Sequence, residues 1–413
     1  MRELMTGNGA AAHGARLAAV DYLPAFPITP QTEIIETIGG WIEQGQMPTK
    51  MVTMDSEHSM VTAAGTAAAS GVRVFTATSS QGLLYAMEMI YTVVGWRAPF
   101  VLVNVSRALA SPITLEPDHN DIMAARDSGF LQIHCASCQE VVDSILLAYR
   151  LGEDPRVKLP VIVNLDGYYL SFTREPVTLP SLAQAREFLP PYQDNRAGMP
   201  LVTEGISQGV AVLGGSQYSY FRYETHLASL NGLTVFSDLC HEYEELTGRS
   251  YSVLDKYLCD DAEIVFFMIG SFATKAKDAV NRLRKKGVLV GLVRPRLLRP
   301  FPEQELLEVM GGKKGVAVVD QNISFGKGGV LYSELASALY NAPDRPTVLV
   351  SFIGGLGGRD ISEIEFFEMV RVTQEAAETG ITPPPRLLYT KGELAQMEGL
   401  KAIALQNNRG GGR

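Results

Sequence analysis

The sequence predicts an α/β protein made of two doubly wound open-sheet domains. Three observations carry this. Apolar runs of strand length alternate with helix-period segments along most of the chain, the pattern of a parallel sheet covered by helices. Some of these runs, such as Phe-Val-Leu-Val-Asn-Val at 100–105, are almost continuously apolar, as expected of strands buried on both faces. The alternation fails once, between about 168 and 204, where Pro176, Pro180, Pro190, Pro191 and Pro200 crowd together. A chain of 413 residues also suits two domains of roughly 100–200 residues each.

Near the N-terminus, Leu4-Met-Thr-Gly-Asn-Gly-Ala-Ala-Ala12 has the Gly-x-Gly-x-x-Ala spacing of a dinucleotide fingerprint. A nicotinamide or flavin site also needs an acid at the end of the second strand. Here that strand runs into Pro27-Ile28-Thr29-Pro30 instead. The glycines are therefore read as a tight turn with a close helix–sheet contact. The two prolines hold Ile28 and Thr29 extended and present the Thr29 hydroxyl just before a helical pattern at Thr32, Glu33, Ile34, Ile35 and Ile38. A strand-to-helix junction is the usual ligand position in open α/β sheets; taken alone, the segment is equally compatible with a rigid loop.

Residues 51–54 form the next strand, followed by Asp55-Ser56-Glu57 and an alanine-rich helix over about 58–70, closed by Gly71. Asp55 or Ser56 can cap that helix, and an acid is favourable in its first turn because of the dipole. Local sequence alone makes Glu57 no more than such a first-turn acid. A strand over 72–78 leads through Ser79-Ser80-Gln81-Gly82 into a helix ending near Trp96. The strand at 100–105 delivers Ser106-Arg107-Ala108-Leu109 to the same sheet edge as Thr29 and Glu57. A helix near 120–128, a strand at 130–134, a helix at 139–152 and a strand at 161–165 complete the first alternation.

A second α/β unit begins near Gly209-Val-Ala-Val-Leu213. It continues with a strand at 263–270, a helix at 273–286, a strand at 288–293, Arg299-Pro-Phe-Pro302 and a strand at 315–320. Gly326-Lys-Gly-Gly329 opens another helix, and a last strand at 348–353 precedes Gly354-Gly-Leu-Gly-Gly358. The tail carries Pro383-Pro-Pro385 and ends in Arg409-Gly-Gly-Gly-Arg413, a composition that predicts a flexible or partner-bound end.

A formal charge of −9 argues against a nucleic-acid partner, which calls for a basic face. No apolar run reaches the roughly 18 residues that span a bilayer. The N-terminus has no signal-peptide core, which predicts a cytoplasmic chain. Cys135, Cys138, Cys240 and Cys259 fit free thiols in a reducing compartment. A lone Cys-x-x-Cys falls short of a four-thiolate iron–sulfur site, so the cysteines are read as buried structural thiols.

Taken together, Pro27-Ile-Thr-Pro30, Asp55-Ser-Glu57, Ser80-Gln-Gly-Leu-Leu84, Ser106-Arg-Ala-Leu109 and Asp118-His-Asn-Asp-Ile-Met-Ala-Ala-Arg126 resemble the α subunit of 2-oxoacid:ferredoxin oxidoreductases. The pyruvate enzyme is the best known of these. The resemblance continues through Gly270-Ser271, Arg299-Pro-Phe-Pro302 and Gly354-Gly-Leu-Gly-Gly-Arg359, and so covers nearly the whole chain. It implies a thiamine-diphosphate pyrimidine-binding domain over 1–170 and a Pro-rich linker over 171–205. A transketolase C-terminal-like domain over 206–365 and a C-terminal extension over 366–413 would follow.

It also implies the chemistry. Thiamine enzymes bond a glutamate to N1′ of the aminopyrimidine, and Glu57 occupies that place in the motif; a carboxyl sharing a proton suits a partly dry pocket. Pro27, Ile28 and Gln81 are implied as further cofactor contacts. A 2-oxoacid carboxylate has to be held until CO2 leaves. Arg107 can grip it by two charge-assisted hydrogen bonds and Thr29 by its hydroxyl. An ion pair of Arg107 with Asp118 or Asp121 is the alternative.

The diphosphate and its Mg2+ need a Gly-Asp-Gly motif followed by paired asparagines, oxygen ligands suited to that ion. The nearest imitation, Leu165-Asp-Gly167 with Asp194-Asn195, lacks the first glycine and the asparagine pair. The resemblance therefore implies a thiamine-diphosphate-binding β subunit that shares the cofactor and carries the Mg2+. It likewise implies γ and ferredoxin-like subunits with 4Fe-4S clusters, coenzyme A as co-substrate, and ferredoxin or another electron acceptor. Pyruvate, phenylglyoxylate, branched-chain, aryl-pyruvate and 2-oxoglutarate enzymes share this core. Two other readings compete: the β subunit of a lipoate-linked 2-oxoacid dehydrogenase, and a non-catalytic subunit of the same fold.

Overall fold

The computed structural model describes residues 2–192, 209 and 211–410. Strand Tyr22–Ala25 pairs in parallel with Lys50–Thr53 and, through a bridge from Tyr22 to Val74, stands beside Phe75–Thr78. From there the first sheet continues through Val101–Ser106, Val161–Asp166 and Leu131–His134, all parallel. Every residue of Val101–Ser106 and Val161–Asp166 is buried, so these strands need apolar residues on both faces and show no polar alternation. Because the strands are parallel, Ala25, Thr78, Ser106 and Asp166 all end at one sheet edge.

The N-terminal glycine run does what a tight turn requires. Strand Arg2–Thr6 passes directly into helix Gly7–Leu17, whose N-cap Thr6 accepts from the Gly9 N–H at 2.9 Å. The helix packs against Cys138–Glu153 so closely that a Cβ on Gly14 would meet Ile145 at 2.8 Å. All four cysteines are free and buried, and burial raises the Cys135 thiol pKa to about 12.

The second sheet has the order Arg386–Leu387, Val348–Ile353, Gly315–Asp320, Ile264–Phe267, Val290–Pro295, Leu254–Tyr257. Its strands are parallel except the antiparallel edge strand Leu254–Tyr257. A separate apolar cluster around Phe266, Phe352 and Phe366 fills this unit. Just beyond Val290–Pro295 the chain crosses to the first sheet, where Leu297–Arg299 pairs antiparallel with Leu131–His134. The Arg299-Pro-Phe-Pro302 motif thus joins the two units. No helix among the described residues is long and apolar enough to cross a membrane.

The structure departs from the sequence expectation in three places. The stretch expected as linker contains strand Arg174–Thr178, paired antiparallel with Arg2–Thr6, and helix Leu182–Phe188 with a capping box at Ser181. Residues 211–213 lie outside regular structure and start no second unit. They precede the 33-residue helix Gly215–Thr247, which packs on Cys138–Glu153 and Met87–Gly95 of the first unit. Burial of Val235, Phe236, Leu239 and Tyr243 holds it there, and the second sheet begins only at Leu254. Finally, the helix expected to end near Trp96 breaks at Ala86 into Gln81–Tyr85 and Met87–Gly95. Asp194 and Asn195 lie outside the described residues.

Candidate active site

The shared carboxyl edge of the first sheet gathers the residues singled out by sequence. Glu57 is the first residue of helix Glu57–Ala69, whose N-cap Ser56 accepts from the Ser59 N–H. The helix dipole favours a carboxylate there, yet Glu57 is only 6% exposed. Gly82 packs over it: a Cβ on Gly82 would lie 2.5 Å from Glu57 Oε1 and 2.5 Å from Thr78 Oγ1. The Thr78 hydroxyl is buried and has no hydrogen-bond partner.

Arg107 follows strand Val101–Ser106 and is 7% exposed. Its Nη1 donates to the Thr29 carbonyl at 2.7 Å and its Nη2 to Gln81 Oε1 at 2.8 Å. Nε is buried without a partner, and burial pulls the guanidinium pKa down. The expected alternative, an ion pair with Asp118 or Asp121, does not form. Among the described residues the guanidinium meets no carboxylate at all. A buried cation held only by neutral acceptors is ready to receive an anion.

Asp121 acts instead on the backbone. Its buried carboxylate accepts from the Ser80 N–H (3.0 Å), Asn104 Nδ2 (3.1 Å), Ser106 Oγ (2.5 Å), the Arg107 N–H (3.1 Å) and the Ile122 N–H (2.7 Å). Burial pushes its pKa up, against the opposing pull of these hydrogen bonds. One side chain therefore fixes both Arg107 and the entry to the Gln81 helix. Ser80 sits there at φ 50°, a region costly for a residue with a Cβ and typical of functional sites. Its hydroxyl bridges to the Ala108 carbonyl at 2.9 Å and Gln81 Oε1 at 2.6 Å.

The Thr29 loop is tied down from the other side. Asn8 Nδ2 donates to the Pro30 carbonyl at 2.8 Å, and Gln31 Nε2 to the Phe26 carbonyl at 2.9 Å. Thr29 and Pro27 are exposed and Ile28 is half-buried. The edge thus brings together Thr29, Gln81 and Arg107 by direct hydrogen bonds, with Glu57 against Gly82, the residue after Gln81. Sequence reasoning named the Thr29 hydroxyl; the structure also uses its carbonyl. It missed Asn8, Thr78 and Gly82, and saw Asp121 only as a charge for Arg107.

Asp166, in the Leu165-Asp-Gly167 stretch, has no freedom to serve a metal. His119 Nε2 lies 2.7 Å from its Oδ1, and the Ser271 N–H and hydroxyl both donate to Oδ2. This cluster joins the two units, together with the His119 N–H donating to the Gln321 carbonyl. No group of three or more metal-ligating side chains occurs among the described residues.

Residues 13–231 match the family described as pyruvate flavodoxin/ferredoxin oxidoreductase, thiamine diP-bdg, and residues 262–366 match pyruvate:ferredoxin oxidoreductase core domain II. The pyruvate synthase subunit PorA of Methanothermobacter thermautotrophicus is 40% identical over 90% of this chain and 95% of its own. The ketoisovalerate oxidoreductase subunit VorA of Pyrococcus horikoshii is 38% identical over 92% of this chain and 95% of its own. Among solved structures, a 2-oxoglutarate:ferredoxin oxidoreductase from Magnetococcus marinus superposes with TM-score 0.69 at 18% identity, over 91% of this chain and 65% of that one. A split-gene transketolase superposes with TM-score 0.55 at 12% identity, over 90% of this chain and 99% of that one. These matches favour the ferredoxin-linked reading over the lipoate-linked one. Matched across both its units and along nine-tenths of its length, the chain belongs to the pyruvate flavodoxin/ferredoxin oxidoreductase family.

Proposed function

We propose that this chain is the α subunit that contributes the aminopyrimidine and substrate side of a thiamine-dependent 2-oxoacid oxidoreductase. The overall reaction converts a 2-oxoacid, coenzyme A and an oxidised acceptor to acyl-CoA, CO2 and the reduced acceptor. The observation that carries the reading is the Arg107 guanidinium, buried, free of any counter-ion among the described residues and braced by Thr29 and Gln81.

The residues present fit the pyrimidine half of thiamine diphosphate. Glu57 faces the space that Gly82 leaves open, and unpaired polar atoms on Thr78 and Arg107 border the same edge. When bound, the cofactor supplies an electron sink for decarboxylation. Glu57 holds a proton between its carboxylate and the pyrimidine ring nitrogen, with Pro27, Ile28 and Gln81 lining the ring. Arg107 holds the substrate carboxylate by two parallel donors, a geometry that guanidinium offers and ammonium does not. Thr29 orients the same substrate through its exposed hydroxyl.

The diphosphate half finds no such donors here, since Asp166 is committed to His119 and Ser271. We assign the diphosphate and its Mg2+ to a β subunit, and the 4Fe-4S clusters to γ and ferredoxin-like subunits that pass electrons to ferredoxin. The matched relatives are themselves named as subunits. The complex is placed in the cytoplasm. The first unit extends through helix Gly215–Thr247, with the second starting near Leu254. Pyruvate and branched-chain 2-oxoacids lead as substrates, with phenylglyoxylate a further member of the panel.

The test is the native complex, assayed with a panel of 2-oxoacids, coenzyme A and a viologen dye. At least one 2-oxoacid should reduce the dye with CoA dependence. A cofactor-loaded complex inert toward every 2-oxoacid refutes the reading.

A further inference from the structure

Strand Phe75–Thr78 ends at the ligand edge, and its last side chain is anomalous. The Thr78 hydroxyl is fully buried and makes no hydrogen bond, while the other threonine of the strand, Thr76, donates to the Pro24 carbonyl at 2.8 Å. A buried polar group without a partner is costly and uncommon in a folded protein. The nearest explanation lies across Gly82. Thr78 Oγ1 and Glu57 Oε1 each stand 2.5 Å from the point a Gly82 Cβ would occupy, so no more than 5.0 Å separates them. Neither has another hydrogen-bond partner among the described residues. Rotation about the terminal Glu57 torsions, which are soft for an sp3–sp2 bond, closes the remaining gap.

We infer that Thr78 is a positioning residue: its hydroxyl donates to one oxygen of the Glu57 carboxylate and holds that group in plane while the other oxygen serves the pyrimidine ring. This rests on the reading of Glu57 given above. A carboxylate tethered at a single oxygen swings about its last torsion. A second donor removes that freedom, the usual service of a supporting hydrogen bond to an acid–base group. Gly82 belongs to the same device, since any larger residue there would occupy the space the two oxygens share. The hydroxyl suits the task because it is neutral. A cationic donor in its place would compete with the ring for the proton.

The test uses the assembled complex carrying Thr78→Val, Thr78→Ser or Thr78→Ala, with Glu57→Gln as reference. Three quantities are measured: hydrogen–deuterium exchange at the cofactor C2, the calorimetric Kd for thiamine diphosphate, and Tm. Thr78→Val keeps the shape and removes an unpaired hydroxyl, so Tm should hold or rise. Exchange should slow on the order of ten- to a hundredfold, the loss of one hydrogen bond to a charged group, and Kd should weaken in the same direction. Thr78→Ser should restore both. Thr78→Ala gives the same comparison should valine prevent folding. Normal exchange and Kd in Thr78→Val beside slow exchange in Glu57→Gln overturns the role of Thr78 and leaves Glu57 standing. Normal exchange in Glu57→Gln removes Glu57 itself, and the inference falls with it.

Discussion

Arg107 donates from Nη1 to the backbone carbonyl of Thr29 across 2.7 Å, joining the loop after strand Val101–Ser106 to the loop after strand Tyr22–Ala25. The contact uses a carbonyl rather than a carboxylate, so the positive charge stays uncompensated. Gln81 takes the second terminal nitrogen with another neutral oxygen. An arginine placed for stability alone would sit better with an acid beside it, as Arg73 does with Glu153 at 2.7 Å.

Asp121→Asn should damage both fold and site. The amide replaces one acceptor oxygen with a donor, facing the N–H groups of Ser80 and Arg107. Each buried donor left unpaired costs about 1–3 kcal/mol, so Tm should drop clearly. The Michaelis constant for the 2-oxoacid should rise as Arg107 loses its backbone anchor. A variant with native KM and native Tm contradicts the hub role.

Glu57→Gln should leave assembly and Tm intact while C2 exchange slows by about 10²–10⁴, the usual range for a general acid–base group. Gly82→Ala provides an independent check from the packing side. Its Cβ would approach Glu57 Oε1 at 2.5 Å, and overpacking of this sort typically costs about 1–3 kcal/mol. Loss of exchange with a folded complex is the expected outcome. Wild-type exchange in Gly82→Ala shows that Glu57 does not need that space.

Asp320 gives a pH signature remote from the chemistry. Burial raises its pKa to about 7, although the Leu331 and Tyr332 N–H groups and Asn322 Nδ2 donate to it. With the folded pKa above the unfolded value of roughly 3.9, the folded state keeps a proton that the unfolded state has lost. Stability from this group therefore falls as pH rises from about 4 to about 7 and is level above that. Urea unfolding of wild type and Asp320→Asn across pH isolates the effect. The difference between them should drift through this window and flatten beyond it; a constant difference contradicts the assignment.

The parallel-sheet fold was legible because burial on both faces forces continuous apolar runs, as at Val101–Ser106. Glu57 and Arg107 were legible because each follows a strand inside a recognisable motif. The hub at Asp121 was not, since its partners lie up to 41 residues away and nothing local marks a carboxylate that will accept five hydrogen bonds. Thr78 looked like an ordinary strand threonine; only the space over Gly82 singles it out. Helix Gly215–Thr247 stayed hidden because its first turns expose Tyr218, Tyr220, Phe221 and Tyr223. Aromatic residues in that half mark no buried face, and the apolar period emerges only from Ala228 onward.

The most direct measurement is Arg107→Lys in the assembled complex, with kcat/KM for the 2-oxoacid and Tm determined on the same preparation. Lysine keeps the charge but cannot span Thr29 and Gln81 while presenting two parallel donors to a carboxylate. The account predicts a loss in kcat/KM worth on the order of 1.5–3 kcal/mol, the scale of a charged hydrogen bond, with Tm and cofactor affinity nearly unchanged. A lowered Tm with normal kcat/KM would contradict it and return Arg107 to a purely structural role.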